Sequence, residues 1–177
     1  MLTAISPIDG RYSEKLRNLS DYFSEYALIK KRVYVEIKYL KELGKGDFLK
    51  IYDNFDIKEA KKVKKIEEKT NHDVKAVEYY IKEKVPENIR EFVHYGLTSE
   101  DINNLAYGLL IKEFFVKEYA NKIESILKKL KELSVENKSV AMLARTHGQP
   151  ASPTTLGKEF FVFHERLRKQ FEKIRDI

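Results

Sequence analysis

Four short polar stretches interrupt a sequence dominated by lysine, glutamate and leucine, and their side chains suit proton transfer and anion binding. They are Ser6-Pro7-Ile8-Asp9-Gly10-Arg11-Tyr12, Thr70-Asn71-His72-Asp73, Thr98-Ser99-Glu100-Asp101 with Asn103 and Asn104, and Arg145-Thr146-His147-Gly148-Gln149-Pro150. In the last, an arginine, a hydroxyl, a histidine and a glycine share a connection between two long helices, where a rigid scaffold can present a site. A plain polar turn is the alternative. A helix-capping segment explains Asn71 and Asp73 but gives no reason for His72. Thr98-Ser99 reads as a helix start, and the free amides and hydroxyls of such a start also bind carboxylate or phosphate. His94, before Tyr95-Gly96, sits at a helix end that favours an imidazolium. His164, next to Phe163 and Glu165, reads as a flank or surface residue. The four histidines lie far apart with no i,i+4 pair, and no Gly-rich phosphate loop, serine elbow or zinc knuckle occurs, so no metal and no cofactor are expected.

These stretches need helices to position them. Ala27, Val33, Ile37 and Leu40 recur at helical spacing between Ser24 and Leu43, and Gly44 is placed to end that helix. Ile57, Ala60, Val63 and Ile66 mark a second helix with charged outer faces. A third begins at Asp73, turns Val74, Val77 and Ile81 inward and stops before Pro86; a short one covers 87–95. The acids after Thr98-Ser99 suit the positive end of a helix dipole. A long helix is therefore expected from 99 to 136, with Leu105, Leu109, Ile123, Ile126, Leu127 and Leu130 on buried faces. After Pro153, Leu156, Phe160, Phe163, Leu167 and Ile174 form a heptad seam that asks for partner helices. Period-2 alternation is confined to short runs, so the expected class is all-α: an N-terminal helical domain over 1–98, then long bundle helices over 99–177. The chain stops at Arg175-Asp176-Ile177 without a cap, and a truncated piece of a longer protein is expected.

Composition narrows the function classes. At 177 residues a chain can bury about 70% of its unfolded surface, enough for a core without staples. With no cysteine, disulfides, thiolate nucleophiles and Cys-based zinc sites are excluded. No run approaches the roughly 18 apolar residues of a spanning helix. Met1 to Pro7 lacks a basic start and a long apolar core, so no signal peptide is expected and the protein reads as cytoplasmic. The net charge of +6 raises nucleic acid as a partner. However, the lysines of Lys58-Glu59-Ala60-Lys61-Lys62-Val63-Lys64-Lys65-Ile66-Glu67-Glu68-Lys69 are interleaved with acids, as on a solvated helix face. No nucleic-acid or membrane partner is expected; a basic helical interaction or nucleic-acid-binding module is the alternative.

The four polar stretches, extended to Thr70-Asn71-His72-Asp73-Val74-Lys75-Ala76-Val77-Glu78-Tyr79 and to Gln149-Pro150-Ala151, closely resemble those of the adenylosuccinate lyases of the fumarase/aspartase superfamily. They occur in that family's order and at about its spacing, and they span essentially the whole chain. The resemblance implies the superfamily's helical bundle and a β-elimination that releases fumarate from a succinylated purine nucleotide: adenylosuccinate, giving AMP, or succinylaminoimidazole carboxamide ribotide. It implies that His147 is the general acid, a task suited to histidine and worth roughly 10²–10⁴-fold, with Thr146 beside it on a substrate carboxylate. It also implies His72 as second catalytic histidine, Asn71 and Asp73 as substrate contacts, Thr98 and Ser99 on the succinyl carboxylate, and Arg11 and Tyr12 on the nucleotide, where a guanidinium suits phosphate.

One departure stands out. The family's general base, a serine in a Ser-Ser-x-Met-Pro-x-Lys-x-Asn loop, has no counterpart among these residues, so the chain alone is expected to be inactive. The resemblance further implies a homotetramer for the full-length enzyme. The exposed seam of the last helix leads us to expect self-association, because apolar surface in water is unfavourable by about 25 cal/mol per Å².

Overall fold

The computed structural model describes residues 6–175, so the readings made at Met1–Ile5 and at Asp176-Ile177 fall outside the described residues. The backbone divides into two compact units, residues 1–114 and 115–177.

The first unit is helical among its described residues. A 3-10 segment (Ser13–Leu19) is followed by α1 (Ser20–Phe23), α2 (Glu25–Glu42), α3 (Leu49–Asp53), α4 (Ile57–Thr70), α5 (Asp73–Lys82), a second 3-10 segment (Glu87–Phe92) and α6 (Ser99–Phe114). Helix α2 starts where the Ser24 hydroxyl accepts the Ala27 amide at 3.1 Å. It ends at Gly44, whose φ of +69° lets the Lys45 amide reach back to the Leu40 carbonyl at 3.0 Å. Between these caps α2 is apolar on two faces, each packed against a different set of residues. One face places Ile29, Val33, Ile37 and Leu40 against Phe55, Val63, Val77, Tyr80 and Ile81. The other sets Val35 with Val74, Ile102 and Ala106. That second cluster draws α6 into the first unit, whereas the domain division expected at 98/99 falls at the start of this helix. The expected helix over 87–95 is the shorter 3-10 segment.

The second unit holds a π-helical turn (Phe115–Tyr119), α7 (Ala120–Glu136), β1 (Ala141–Thr146), β2 (Gln149–Thr155) and α8 (Leu156–Arg175). The helix expected to run unbroken from 99 to 136 thus carries a π turn. Leu105 and Ile126, expected inside, are exposed, and among the described residues α7 has none that is buried.

The all-helical expectation holds for the architecture but fails at 141–155, which forms a two-stranded antiparallel hairpin. Its register pairs Ala141 with Thr155 and Thr146 with Gln149, with an irregularity between Leu143 and Arg145. Pro150 and Pro153 are tolerated because both strands of a two-stranded ribbon are edges. The seam of α8 is also displaced. Its buried residues are Gly157, His164 and Phe171, a strict seven-residue repeat, while Phe163 and Ile174 are exposed. His164, expected on the flank or surface, is therefore buried; its ring stacks on Phe161, and its Nδ1 lies 3.1 Å from Glu165 Oε1.

Candidate active site

Two helix starts in the first unit carry most of the polar candidates. Asn71 ends α4 in the left-handed region, with φ +48° and ψ +35°, and so turns the chain sharply into α5. His72 then caps α5: its Nδ1 accepts the Lys75 amide at 3.2 Å. That bond leaves Nε2 as the outward nitrogen, 3.4 Å from the Ser99 hydroxyl in the first turn of α6. Asn71, His72 and Asp73 are exposed and Ser99 half-buried, so this pair is open to a ligand.

Asp73 is more committed. Its Oδ1 accepts the Val74 amide at 2.8 Å, and its Oδ2 pairs with Arg32 Nη2 at 2.6 Å. Partial burial pushes this carboxyl up, but the Val74 hydrogen bond and the Arg32 charge outweigh it and hold it below the usual carboxylate range.

Thr98 precedes α6, and both its amide (2.7 Å) and its hydroxyl (2.9 Å) donate to Asp101 Oδ2. The acid three residues on thus caps the start in place of the threonine hydroxyl. The Thr98 amide and hydroxyl bonds hold Asp101 below its ordinary range. A groove of about 660 Å³ opens beside this cap, lined by Tyr34, Tyr39, Leu97, Asp101 and Leu105 among others.

Two contributors escaped the sequence reading, Arg32 and Glu36, one turn apart on α2 and both buried. Besides Asp73, Arg32 donates from Nε to Asn103 Oδ1 at 2.9 Å. Glu36, fully inaccessible, accepts from the His94 amide at 3.2 Å and meets His94 Nδ1 at 2.5 Å. The Glu36 hydrogen bond pushes the His94 imidazole up despite its burial. It also braces a backbone with φ +62°, a left-handed conformation that costs a non-glycine residue about 1–2 kcal/mol. The sequence signal was available: charges at i and i+4 between Ile29, Val33, Ile37 and Leu40, on a stripe that otherwise reads as core.

In the second unit, His147 and Gly148 are the two central residues of the hairpin turn, with φ +54° and +78°. Positive φ at both positions is the turn that matches strand twist, and glycine supplies the second at little strain. Thr146 and His147 are exposed, and the His147 ring is not packed into apolar side chains. In the N-terminal segment Arg11 lies over the Tyr12 ring at 5.5 Å. Among the described residues, no hydrogen bond, ion pair or ring contact links either of them to the His72 cluster. The geometry thus gathers Asn71, His72, Asp73, Thr98 and Ser99 in the first unit, while Thr146 and His147 stand at the hairpin turn of the second. No group of three or more His, Asp or Glu side chains among the described residues could hold a metal ion.

Residues 46–177 match the lyase family. The chain is 50% identical to adenylosuccinate lyase of Dictyostelium discoideum over 98% of its own length and 42% of the relative's. It is 45% identical to the enzyme of Legionella pneumophila strain Corby and 39% to that of Escherichia coli K12, in each case over 99% of this chain and 43% of the relative. The chain therefore spans well under half the length of these curated relatives. Among solved structures, a fumarate lyase from Mesorhizobium sp. BNC1 shares the fold, with a TM-score of 0.74 at 22% identity over 92% of this chain and 39% of that one. A β-carboxy-cis,cis-muconate cycloisomerase from Acinetobacter calcoaceticus sp. ADP1 does so with 0.71 at 20%, over 91% and 40%.

Proposed function

Because the chain belongs to the lyase family, we propose that it forms part of an adenylosuccinate lyase, a C–N lyase that eliminates fumarate from adenylosuccinate to give AMP and from succinylaminoimidazole carboxamide ribotide. The observation that carries this reading is the 39–50% identity to adenylosuccinate lyases along 98–99% of the chain.

In this reading the succinyl group lies at the α6 start, where the Ser99 hydroxyl and the adjacent amides receive a carboxylate; Thr98 reaches the same carboxylate once its hydroxyl turns from Asp101. His72 holds its outward Nε2 toward the substrate, with Asn71 beside it, and Asp73 acts from behind through its pair with Arg32. Removal of a proton from the carbon next to a carboxylate leaves that carboxylate as an enediolate dianion, and its collapse breaks the C–N bond and expels the nitrogen that carried the succinyl group. His147 delivers the proton that this nitrogen takes as the C–N bond breaks, and Thr146 steadies a substrate carboxylate. We assign no general base to this chain. Arg11 and Tyr12 receive the nucleotide.

In the same reading the full-length enzyme is a cytoplasmic homotetramer; the exposed Phe163 and Ile174 on α8 support packing against further helices. The basic interaction module is not favoured: Lys62 and Lys64 on α4 pair with Glu59, Glu25 and Glu67 at 2.6–2.8 Å, as on a solvated face.

The test is fumarate release by the full-length enzyme carrying this chain. Fumarate release from adenylosuccinate, with no lactone formed from 3-carboxymuconate, is expected; lactone formation from the muconate without fumarate release from adenylosuccinate would overturn the reading.

A further inference from the structure

Burying a guanidinium is unfavourable unless its donors are matched, and a well-packed apolar side chain in its place is often neutral or stabilising. Arg32 is only 5% exposed. The helices around it already meet through Val35, Val74, Ile102 and Ala106, so cohesion between α2, α5 and α6 does not require its charge. What its forked donors achieve is a link that no apolar residue supplies. Nη2 takes Asp73 at the first position of α5, at 2.6 Å, and Nε takes Asn103, one turn into α6, at 2.9 Å. Each partner is oriented from its other side: Asp73 by the Val74 amide, and Asn103 by its own Nδ2 donating to Glu100 Oε1 at 2.9 Å. Next to Asp73 stands His72, and four residues before Asn103 stands Ser99, 3.4 Å from the His72 ring. The links close into a ring: Arg32, Asp73, His72, Ser99, the first turn of α6, Asn103 and back to Arg32.

We propose that Arg32 is a positioning residue of the site: by holding Asp73 and Asn103 at once, it fixes the spacing between the two helix starts that carry His72 and Ser99. It touches no substrate. Its catalytic consequence rests on the proposed function, because only there must His72 and Ser99 meet the same succinyl group. Lysine cannot replace it, since one ammonium does not reproduce two donors set in a rigid plane. A misplacement of about 1 Å at a catalytic constellation can lower turnover by roughly 10²-fold.

Two measurements test this separately. In the 177-residue chain, the ring ¹⁵N and ¹H signals of His72 and His94 are followed by NMR in Arg32→Met, Arg32→Lys and Glu36→Gln. Both Arg32 variants are expected to move the His72 signals and leave His94 in place. Glu36→Gln, one turn along α2, is expected to do the reverse. In the full-length enzyme, Arg32→Met and Arg32→Lys are expected to lower kcat for fumarate release by about 30- to 100-fold, with KM changed less than fivefold. Unmoved His72 signals in folded Arg32 variants overturn the proposal. So does a kcat within threefold of the parent. Unfolding of both Arg32 variants would likewise overturn it, in favour of a role in the fold alone. If the unsubstituted enzyme releases no fumarate, the proposed function fails and takes the catalytic half of this inference with it, while the ring signals still decide the positioning half.

Discussion

Gly157 offers the sharpest test of how the hairpin is held. It lies in the first turn of α8, and a Cβ built on it would stand 2.3 Å from the Ser134 carbonyl oxygen and 2.7 Å from Lys138 N and Cα. All three obstacles are backbone, so no side chain can swing aside. Carbon atoms in contact sit about 3.5–4.0 Å apart, so α8 must retreat from the end of α7 by roughly 1 Å. Overpacking of this kind costs about 1–3 kcal/mol, and rigid obstacles argue for the upper end. The retreat also stretches two 2.9 Å bonds, Leu156 N to Val140 O and Gly157 N to Asn137 O; each is worth about 1 kcal/mol intact, and stretching forfeits about half of that. Against this, alanine gains up to about 1 kcal/mol of helix propensity. The expected net loss for Gly157→Ala is about 2–3 kcal/mol, confined to the second unit. Amide hydrogen exchange reads it directly: α7 and α8 amides should exchange roughly 30- to 150-fold faster, with α2 and α5 unchanged. Unchanged or slower exchange in α8 would refute the reasoning.

The Glu36–His94 contact predicts a pH-dependent stability. His94 is held above its ordinary value, so its contribution is complete below about pH 6.5 and fades as pH rises through the folded-state value. Glu36→Gln should therefore destabilise the chain by about 2 kcal/mol at pH 6 and by less at pH 9, by urea denaturation; an equal loss at both pH values would count against the contact. At Asn71, φ +48° predicts that Asn71→Val costs about 1–2 kcal/mol while Asn71→Gly stays within a few tenths, in the same assay. Equal effects of the two substitutions would contradict the left-handed turn.

The helix starts were legible because their chemistry is local. Asp73 and Ser99 open α5 and α6 where polar residues precede an apolar repeat, and Gly44 closes α2 as expected. The hairpin was not legible, because it offers no alternation to read: apart from Ala144, Thr154 and Thr155 its residues are exposed on both faces. The displaced seam of α8 has a related cause. Leu and Phe define a stripe by type, but Gly157 decides the packed face by letting α7 approach closely, and His164 follows it inside one heptad later. The site residues at helix starts and turns were visible because they break the Lys/Glu/Leu pattern. Arg32 and Glu36 stayed hidden because their role depends on partners 41 to 71 residues away in sequence, at Asp73, His94 and Asn103.

In the proposed reaction the imidazole at the hairpin turn hands a proton to the departing nitrogen. His147→Asn in the full-length enzyme isolates it, since an Asn-Gly pair is well suited to a turn with positive φ at both positions and leaves the hairpin intact. The expected result is a fall in kcat for fumarate release from adenylosuccinate of about 10²–10⁴-fold with an unchanged melting temperature. Turnover within twofold of the unsubstituted enzyme would contradict it.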